Sequence, residues 1–302
     1  MGKVVILGVF VADTVYRAAR MPKMGETILG NTFALGPGGK GSNQAVAAGK
    51  LGADVTIISR LGEDDFGLMA LQTWKAADVK GAIKYSPDAY TGAAFIFIDD
   101  KTGDNAIIIS PGAAADISVE DIRENADLIA AADVFLTQLE QPVDVAHEGL
   151  ITAKRNGKIT ILNPAPATEL PKEVFEVCDY ITPNETEAEA ITGLPVRNEA
   201  EAESAAQSLA GLGVKTPIIT MGEQGAFLFG YGMVSAYEAG PVVETTGAGD
   251  AFNGAFAVAL SEGKSAVDAV RFGCATAAIS VTRPGAASSM PTRDEVEQLL
   301  RD

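Results

Sequence analysis

Short β-branched and aliphatic runs alternate with Ala-rich amphipathic stretches along most of the chain, and this alternation constrains the fold more than any other feature. Val4–Leu7, Val55–Ile58, Val134–Leu136, Ile159–Leu162, Tyr180–Ile181 and Pro217–Thr220 are brief and almost wholly apolar, the pattern of strands buried on both faces. Between them, Gly41–Leu51, Phe66–Ala77, Val119–Ala131, Val143–Asn156, Glu185–Thr192 and Ala200–Leu212 carry helical spacing. Repeated βαβ units predict an α/β fold with a mostly parallel sheet sandwiched by helices. Beyond Thr220 the pattern predicts short strands around Phe227–Phe229 and Met233–Tyr237. A Gly-rich turn at residues 246–250 follows, then helices at Ala251–Ser261, Ala266–Val281 and Arg293–Leu300.

Two segments break the rhythm. Residues 9–36 hold no clear helix, and Pro22, Gly25, Gly30 and Gly36 punctuate short extended pieces. Residues 90–110 read as two strands joined by an Asp/Gly-rich turn, a hairpin signature. Together they predict a small β-sheet standing off the main body, serving as a lid over a site or as a pairing surface for another subunit. A length of 302 residues suits one large α/β domain with an insertion, or two small ones.

Charge narrows the partners. The chain has 40 acidic against 23 basic residues, a net charge of −17. Nucleic acid and anionic membrane both need a basic footprint, so neither is an expected partner. Any anionic nucleotide must be held locally, by backbone amides, a helix end and a metal. Cys178 and Cys274 stand alone without zinc or disulfide spacing, and no run approaches the roughly 20 apolar residues of a membrane span. The expected location is the cytoplasm.

Three constellations carry chemistry. In Glu244-Thr-Thr-Gly-Ala-Gly-Asp250, Gly247 and Gly249 permit a tight turn whose free amides face the space before a helix. Helix N-termini attract anions such as a transferring phosphoryl group, and Asp250 in the first turn is placed to accept a hydroxyl proton. The same Asp is also a favoured first-turn residue. In Gly36-Pro-Gly-Gly-Lys-Gly-Ser-Asn43, the glycines bring backbone close to a polyhydroxy ligand, with Lys40 and Asn43 as donors. P-loop spacing fails, because Gly41 follows Lys40. The alternative is a plain loop-to-helix turn. In Asn184-Glu-Thr-Glu187, a capping box and a carboxylate able to position Mg²⁺ through water both fit. His147, the only histidine, has no evident partners, and Trp74 reads as packing.

The segments Gly38-Gly-Lys-Gly-Ser-Asn-Gln-Ala-Val-Ala-Ala and Thr246-Gly-Ala-Gly-Asp-Ala-Phe-Asn-Gly resemble the two signatures of the ribokinase-like (PfkB-type) carbohydrate kinases. Asn163-Pro-Ala-Pro-Ala, Thr182-Pro-Asn-Glu-Thr-Glu and Val281-Thr-Arg-Pro-Gly-Ala add to the resemblance in the right order. It implies a single Rossmann-like domain over 1–302, with lid segments about 11–36 and 90–110 and dimers formed through the lid. It implies transfer of the ATP γ-phosphate to a primary alcohol, with ribose the leading acceptor. Asp250 would be the base, with the amides of Gly247, Ala248, Gly249 and Asp250 as the anion hole. The sugar positions would be Asp13, Gly39, Lys40, Asn43, Glu140 and Asp250. Nucleotide positions would be Asn184, Thr220, Gly222, Gly225, Gly249 and Cys274, with Glu187 associated with Mg²⁺. A potassium-like cation would fall at Glu244, Thr246, Ser280, Arg283, Gly285 and Ser289.

Two departures stand out. Family members carry Asn-x-Asp after the first strand, whereas this chain has Val11-Ala-Asp13. Losing an amide leaves one sugar hydroxyl unmatched, which opens the choice to another pentose, a ketose or a deoxy sugar. Glu244 replaces the usual Asp, which puts potassium activation in question. A ligand-binding regulator without turnover on the same scaffold is the alternative from another class. A nicotinamide oxidoreductase is disfavoured by the missing G-x-G-x-x-G.

Overall fold

The apolar runs become the strands their pattern predicts, threaded into one nine-stranded sheet. The computed structural model describes residues 1–301. The first seven strands are β1 (Lys3–Leu7), β2 (Val11–Ala18), β3 (Thr32–Gly38), β4 (Asp54–Leu61), β5 (Val79–Tyr85), β6 (Thr91–Asp99) and β7 (Asn105–Gly112). Then come β8 (Val134–Thr137), β9 (Ile159–Leu162), β10 (Tyr180–Ile181), β11 (Thr216–Thr220), β12 (Ala226–Leu228) and β13 (Gly232–Val234). The large sheet runs β13-β12-β11-β10-β9-β8-β1-β4-β5, parallel from β11 to β5, with β12 and β13 added antiparallel.

Strand β1 shows why both faces need helices. Val4 and Ile6 enter a core shared with helices Lys40–Lys50, Ala248–Ser261 and Ala266–Ser280, while Val5 and Leu7 enter another with helix Val143–Arg155. Successive side chains of a strand point to opposite faces, so an all-apolar strand must be covered twice. Phe256 is fully buried, with its ring stacked on Phe252 and edge-on to Tyr180. Truncating such an aromatic to Ala typically costs about 3–5 kcal/mol.

A separate four-stranded sheet, order β3-β2-β6-β7, forms from the two irregular segments. Strand β2 pairs antiparallel with β3 and parallel with β6, and β6 turns back into β7. Phe33, Leu35, Ile107, Ile108 and Ile109 are exposed on it.

Local readings shift in four places. The helix expected over Val119–Ala131 is two, Val119–Glu124 and Ala126–Ala130, because the Asn125 side chain donates to the Asp121 carbonyl and interrupts the turn. Edge strand β5 and the short helix Lys172–Glu176 were not expected. In β5, Lys80 and Lys84 dilute the apolar alternation, as edge strands commonly require. The helix expected from Ala251 begins at Ala248, since Gly247 caps it. Trp74 is core: its indole donates to Ser42 Oγ at 2.9 Å and its ring meets Phe10 edge-on.

Candidate active site

Five strand ends converge on one edge of the sheet. The chain leaves β1 toward Asp13, β8 toward Glu140, β9 at Asn163 and β10 toward Asn184, and β11 ends at Thr220. Ligands of open parallel sheets bind at this carboxyl edge, where strand directions agree and helices start.

The helix Ala248–Ser261 starts here. Gly247 caps it at φ 79°, and a Cβ at this position would sit 3.0 Å from Ala286. Its first-turn amides divide. Ala248 donates to the Thr245 carbonyl at 3.2 Å, while Gly247, Gly249 and Asp250 are left without a protein acceptor. Of the four amides expected to form an anion hole, a turn thus engages that of Ala248 and leaves the other three open. The Asp250 side chain is buried (8 % exposed) and accepts from Asn43 Nδ2 at 2.9 Å and Gln44 Nε2 at 3.1 Å. Burial raises its pKa; Lys40 and these two donors oppose the rise.

Asp13, Lys40, Asn43 and Glu140 gather around Asp250. Gly38 makes room for the Asp13 carboxylate, whose Oδ2 lies 2.2 Å from where a Gly38 Cβ would be. Gly39 has φ 88°, and any Cβ there would strike the Val9 carbonyl at 2.5 Å. The Lys40 amide donates to Glu140 Oε2 at 2.7 Å, so the donor expected for the sugar is, from the main chain, spent on Glu140. Asn43 gives one Nδ2 hydrogen to Asp250, and its Oδ1 is buried without a partner. Burial, reinforced by Asp250, pushes Asp13 up to about 6. Burial pushes Glu140 up to about 7, against the pull of Lys40. Val11 is 5 % exposed and points to the same side of β2 as Asp13, two residues on.

Asn184 and Glu187 form a reciprocal capping box, with Asn184 Oδ1 accepting from the Glu187 amide at 2.8 Å and Glu187 Oε2 from the Asn184 amide at 2.9 Å. Burial raises the Glu187 pKa, and both Lys40 and Asp250 act on its charge. One carboxylate oxygen stays free for a metal-bound water. Among the described residues no three His, Cys, Asp or Glu converge as a metal-holding group. Mg²⁺ suits that arrangement, since it keeps several waters and leans on phosphate oxygens. Thr220 bridges to Asn184, and the turn after β11 carries Gly222 and Gly225 at φ 52° and 106°. Cys274, on helix Ala266–Ser280, is buried, which pushes its thiol up to about 12.

The positions expected for a cation fall on two adjoining segments, with Ser280 at the end of helix Ala266–Ser280. Glu244 Oε2 accepts from the Gly285 amide at 2.9 Å, and the Val281 carbonyl accepts from Val243 and Glu244. Ser280 and Ser289 are buried and donate their hydroxyls to Ala277 and Ala286, leaving their oxygens open as acceptors. The Arg283 guanidinium pairs with Glu295, which leaves its main chain to serve at this position. Gly285 presents an N–H here, and Thr246 is exposed without a side-chain bond. The carboxylate and hydroxyl oxygens here suit a hard cation, whereas the Gly285 N–H does not.

Sequence reasoning missed Gln44, Gln138, Asn163 and Asn253, all buried: Gln44 bonds Asp250, Gln138 and Asn163 bond Gln44, and Asn253 bonds the Gly249 carbonyl. Gln44 sits in an Ala-rich helical run, and a lone amide on a buried helix face was the available signal. Two concavities of about 360 and 600 Å³ lie elsewhere and include none of the site residues.

A carboxyl edge that collects three acidic side chains, a lysine and the open amides of a helix start defines a phosphotransferase acting on a small polyhydroxy acceptor. The chain belongs to the pfkB family of carbohydrate kinases, whose family model matches residues 1–293. It is 41% identical over 302 residues to a ribokinase of Haemophilus influenzae, covering 98% of this chain and 97% of that protein. It is 34% identical to a deoxyribokinase of Salmonella typhi, with 98% of each chain covered. The solved structure of Arabidopsis thaliana ribokinase complexed with ribose and ATP superposes with a TM-score of 0.93 at 33% identity, over 100% of both chains.

Proposed function

We propose that this kinase transfers the γ-phosphate of ATP to the primary alcohol of a small sugar, with ribose as first acceptor. The observation that carries the reading is the Asp250 carboxylate held beside the open amides of Gly247, Gly249 and Asp250. The sugar oxygen bonds to the γ-phosphorus as the bond to the β,γ-bridging oxygen breaks. ADP leaves with that electron pair, and the hydroxyl proton passes to Asp250. The amides face the equatorial oxygens, where charge accumulates. Asp13, Asn43 and Glu140 orient the sugar, and Lys40 offsets the charge of Glu140, Asp250 and Glu187. Asn184, Thr220, Gly222, Gly225 and Cys274 line the nucleotide. Glu187 would hold Mg²⁺, which would offset charge on the phosphates, and the Glu244 and Ser289 segments would hold a monovalent cation.

The β3-β2-β6-β7 sheet serves as a lid, and its exposed Ile107–Ile109 row pairs two copies into a dimer. Both cysteines are free and buried, as suits a reducing cytoplasm. A specific observation favours a second acceptor. Val11 offers no hydrogen bond beside Asp13, which fits a deoxy sugar, and two relatives carry the name deoxyribokinase.

The test is ADP release over a sugar panel with and without potassium. Turnover with ribose or 2-deoxyribose and none without sugar is expected. Failure of every pentose would overturn the acceptor class.

A further inference from the structure

We infer that Gln44 is a positioning residue for the Asp250 carboxylate, set in a closed ring of buried amides that joins this base to the carbonyl of Gly249. The inference rests on the kinase reading above. Gln44 is fully buried in the second turn of helix Lys40–Lys50, among alanines. Its Nε2 donates to Asp250 Oδ1 and to Asn163 Oδ1, each at 3.1 Å. Its Oε1 accepts from Gln138 Nε2 at 2.5 Å. These partners fix the amide's orientation. A flipped Gln44 would set oxygen against two oxygens and nitrogen against nitrogen.

From Asn163 the chain of bonds continues. Asn163 Nδ2 donates to the Thr182 carbonyl at 3.2 Å, and the Thr182 hydroxyl donates to Asn253 Oδ1 at 2.6 Å. Asn253 Nδ2 then donates to the Gly249 carbonyl at 2.8 Å. Gly249 is covalently joined to Asp250, so the ring closes. It couples the direction of the carboxylate to the turn that holds the anion-hole amides.

A buried amide is costly unless its groups are bonded, and an aliphatic side chain would sit in this Ala-rich packing more cheaply. Gln44 cannot reach a ligand, because no part of it is exposed. What it does for the site is aim Oδ1 of Asp250 and favour its ionised form. The charges around Asp250 come from several elements: Asp13 on β2, Glu140 after β8 and Glu187 at a helix start oppose ionisation, and Lys40 supports it. Against three carboxylates, neutral donors stabilise the base without adding charge that would hold the departing phosphate.

The test compares Gln44→Met, of similar length and without a donor, with Asp250→Asn in the same ADP-release assay. Gln44→Met is expected to lower kcat about 10–100-fold with KM for sugar and ATP little changed. The acid limb of its kcat–pH profile should move to higher pH, since loss of a donor to the ionised form raises the pKa of the base. A merely structural role would lower the melting temperature and leave that limb in place, which overturns the inference. If Gln44→Met does not fold, Gln138→Met frees Gln44 Oε1 without touching Asp250. A limb shifted the same way then supports the inference, and an unmoved limb overturns it. Full activity in Asp250→Asn would instead sink the kinase-base reading itself.

Discussion

Asn43 Nδ2 donates to Asp250 Oδ2 at 2.9 Å, joining the starts of two helices that lie 207 residues apart in sequence. The glycine-rich loop proposed for the sugar and the one proposed for the phosphate thus meet at a single carboxylate. Asp250→Ala should cost about 10²–10⁴-fold or more in kcat, read by coupled ADP release. Near-normal turnover in that variant would remove the base from the mechanism.

How much of this was legible beforehand differs by element. The parallel sheet was readable because strands buried on both faces, such as Val4–Leu7, have almost no polar residue to blur the pattern. The loop glycines and Asp250 were readable because few residue types tolerate a tight turn into a helix start. Gln44 and Asn163 were not, because their role depends on partners 119 residues apart, and nothing local distinguishes a bonded amide from an exposed one. The break at Asn125 was missed for a related reason: one side chain outbid a helical turn that the apolar spacing supported.

Val11 gives a specificity prediction. Val11→Asn should shift kcat/KM toward ribose over 2-deoxyribose by about tenfold or more, because a site with a matching amide rewards the extra hydroxyl. Parallel kinetics with both sugars measure the ratio, and an unchanged ratio would place Val11 outside acceptor choice.

The raised carboxylates predict a pH dependence of stability. Burial lifts Asp13 to about 6 and Glu140 to about 7, above their unfolded values of 3.8 and 4.5. The folded state therefore binds more protons than the unfolded one between roughly pH 4 and 7, so these groups make stability fall as pH rises through that window. Thermal melts without ligand should show the decline on this branch. Asp13→Asn, neutral at every pH, should flatten it; an unaltered slope would contradict the assignment.

The exposed Ile107–Ile109 row predicts assembly. Ile108, 63 % exposed on edge strand β7, should tolerate Asp in the isolated chain and resist it in a dimer. Sedimentation of Ile108→Asp is expected to give monomer where the parent gives dimer. Equal sedimentation of the two proteins would refute pairing through this sheet.

Potassium activation tests the Glu244 segment. Replacing choline chloride with potassium chloride should raise the rate, and Glu244→Ala should abolish the difference, because Glu244 supplies the carboxylate of the two adjoining segments. A response to potassium that survives Glu244→Ala would locate the ion elsewhere.

The position of β1 between β4 and β8 has a consequence for how the chain is made. The opening strand can pair with Asp54–Leu61 soon after both leave the ribosome, but its other edge stays bare until Val134–Thr137 has been translated. At about 5–20 residues per second, that is an interval of several seconds or more. During it an apolar strand carries an unpaired row of backbone donors and acceptors in a crowded cell. Chaperone dependence during synthesis, and its relief when translation of residues 61–134 is accelerated, would be the visible trace of that architecture.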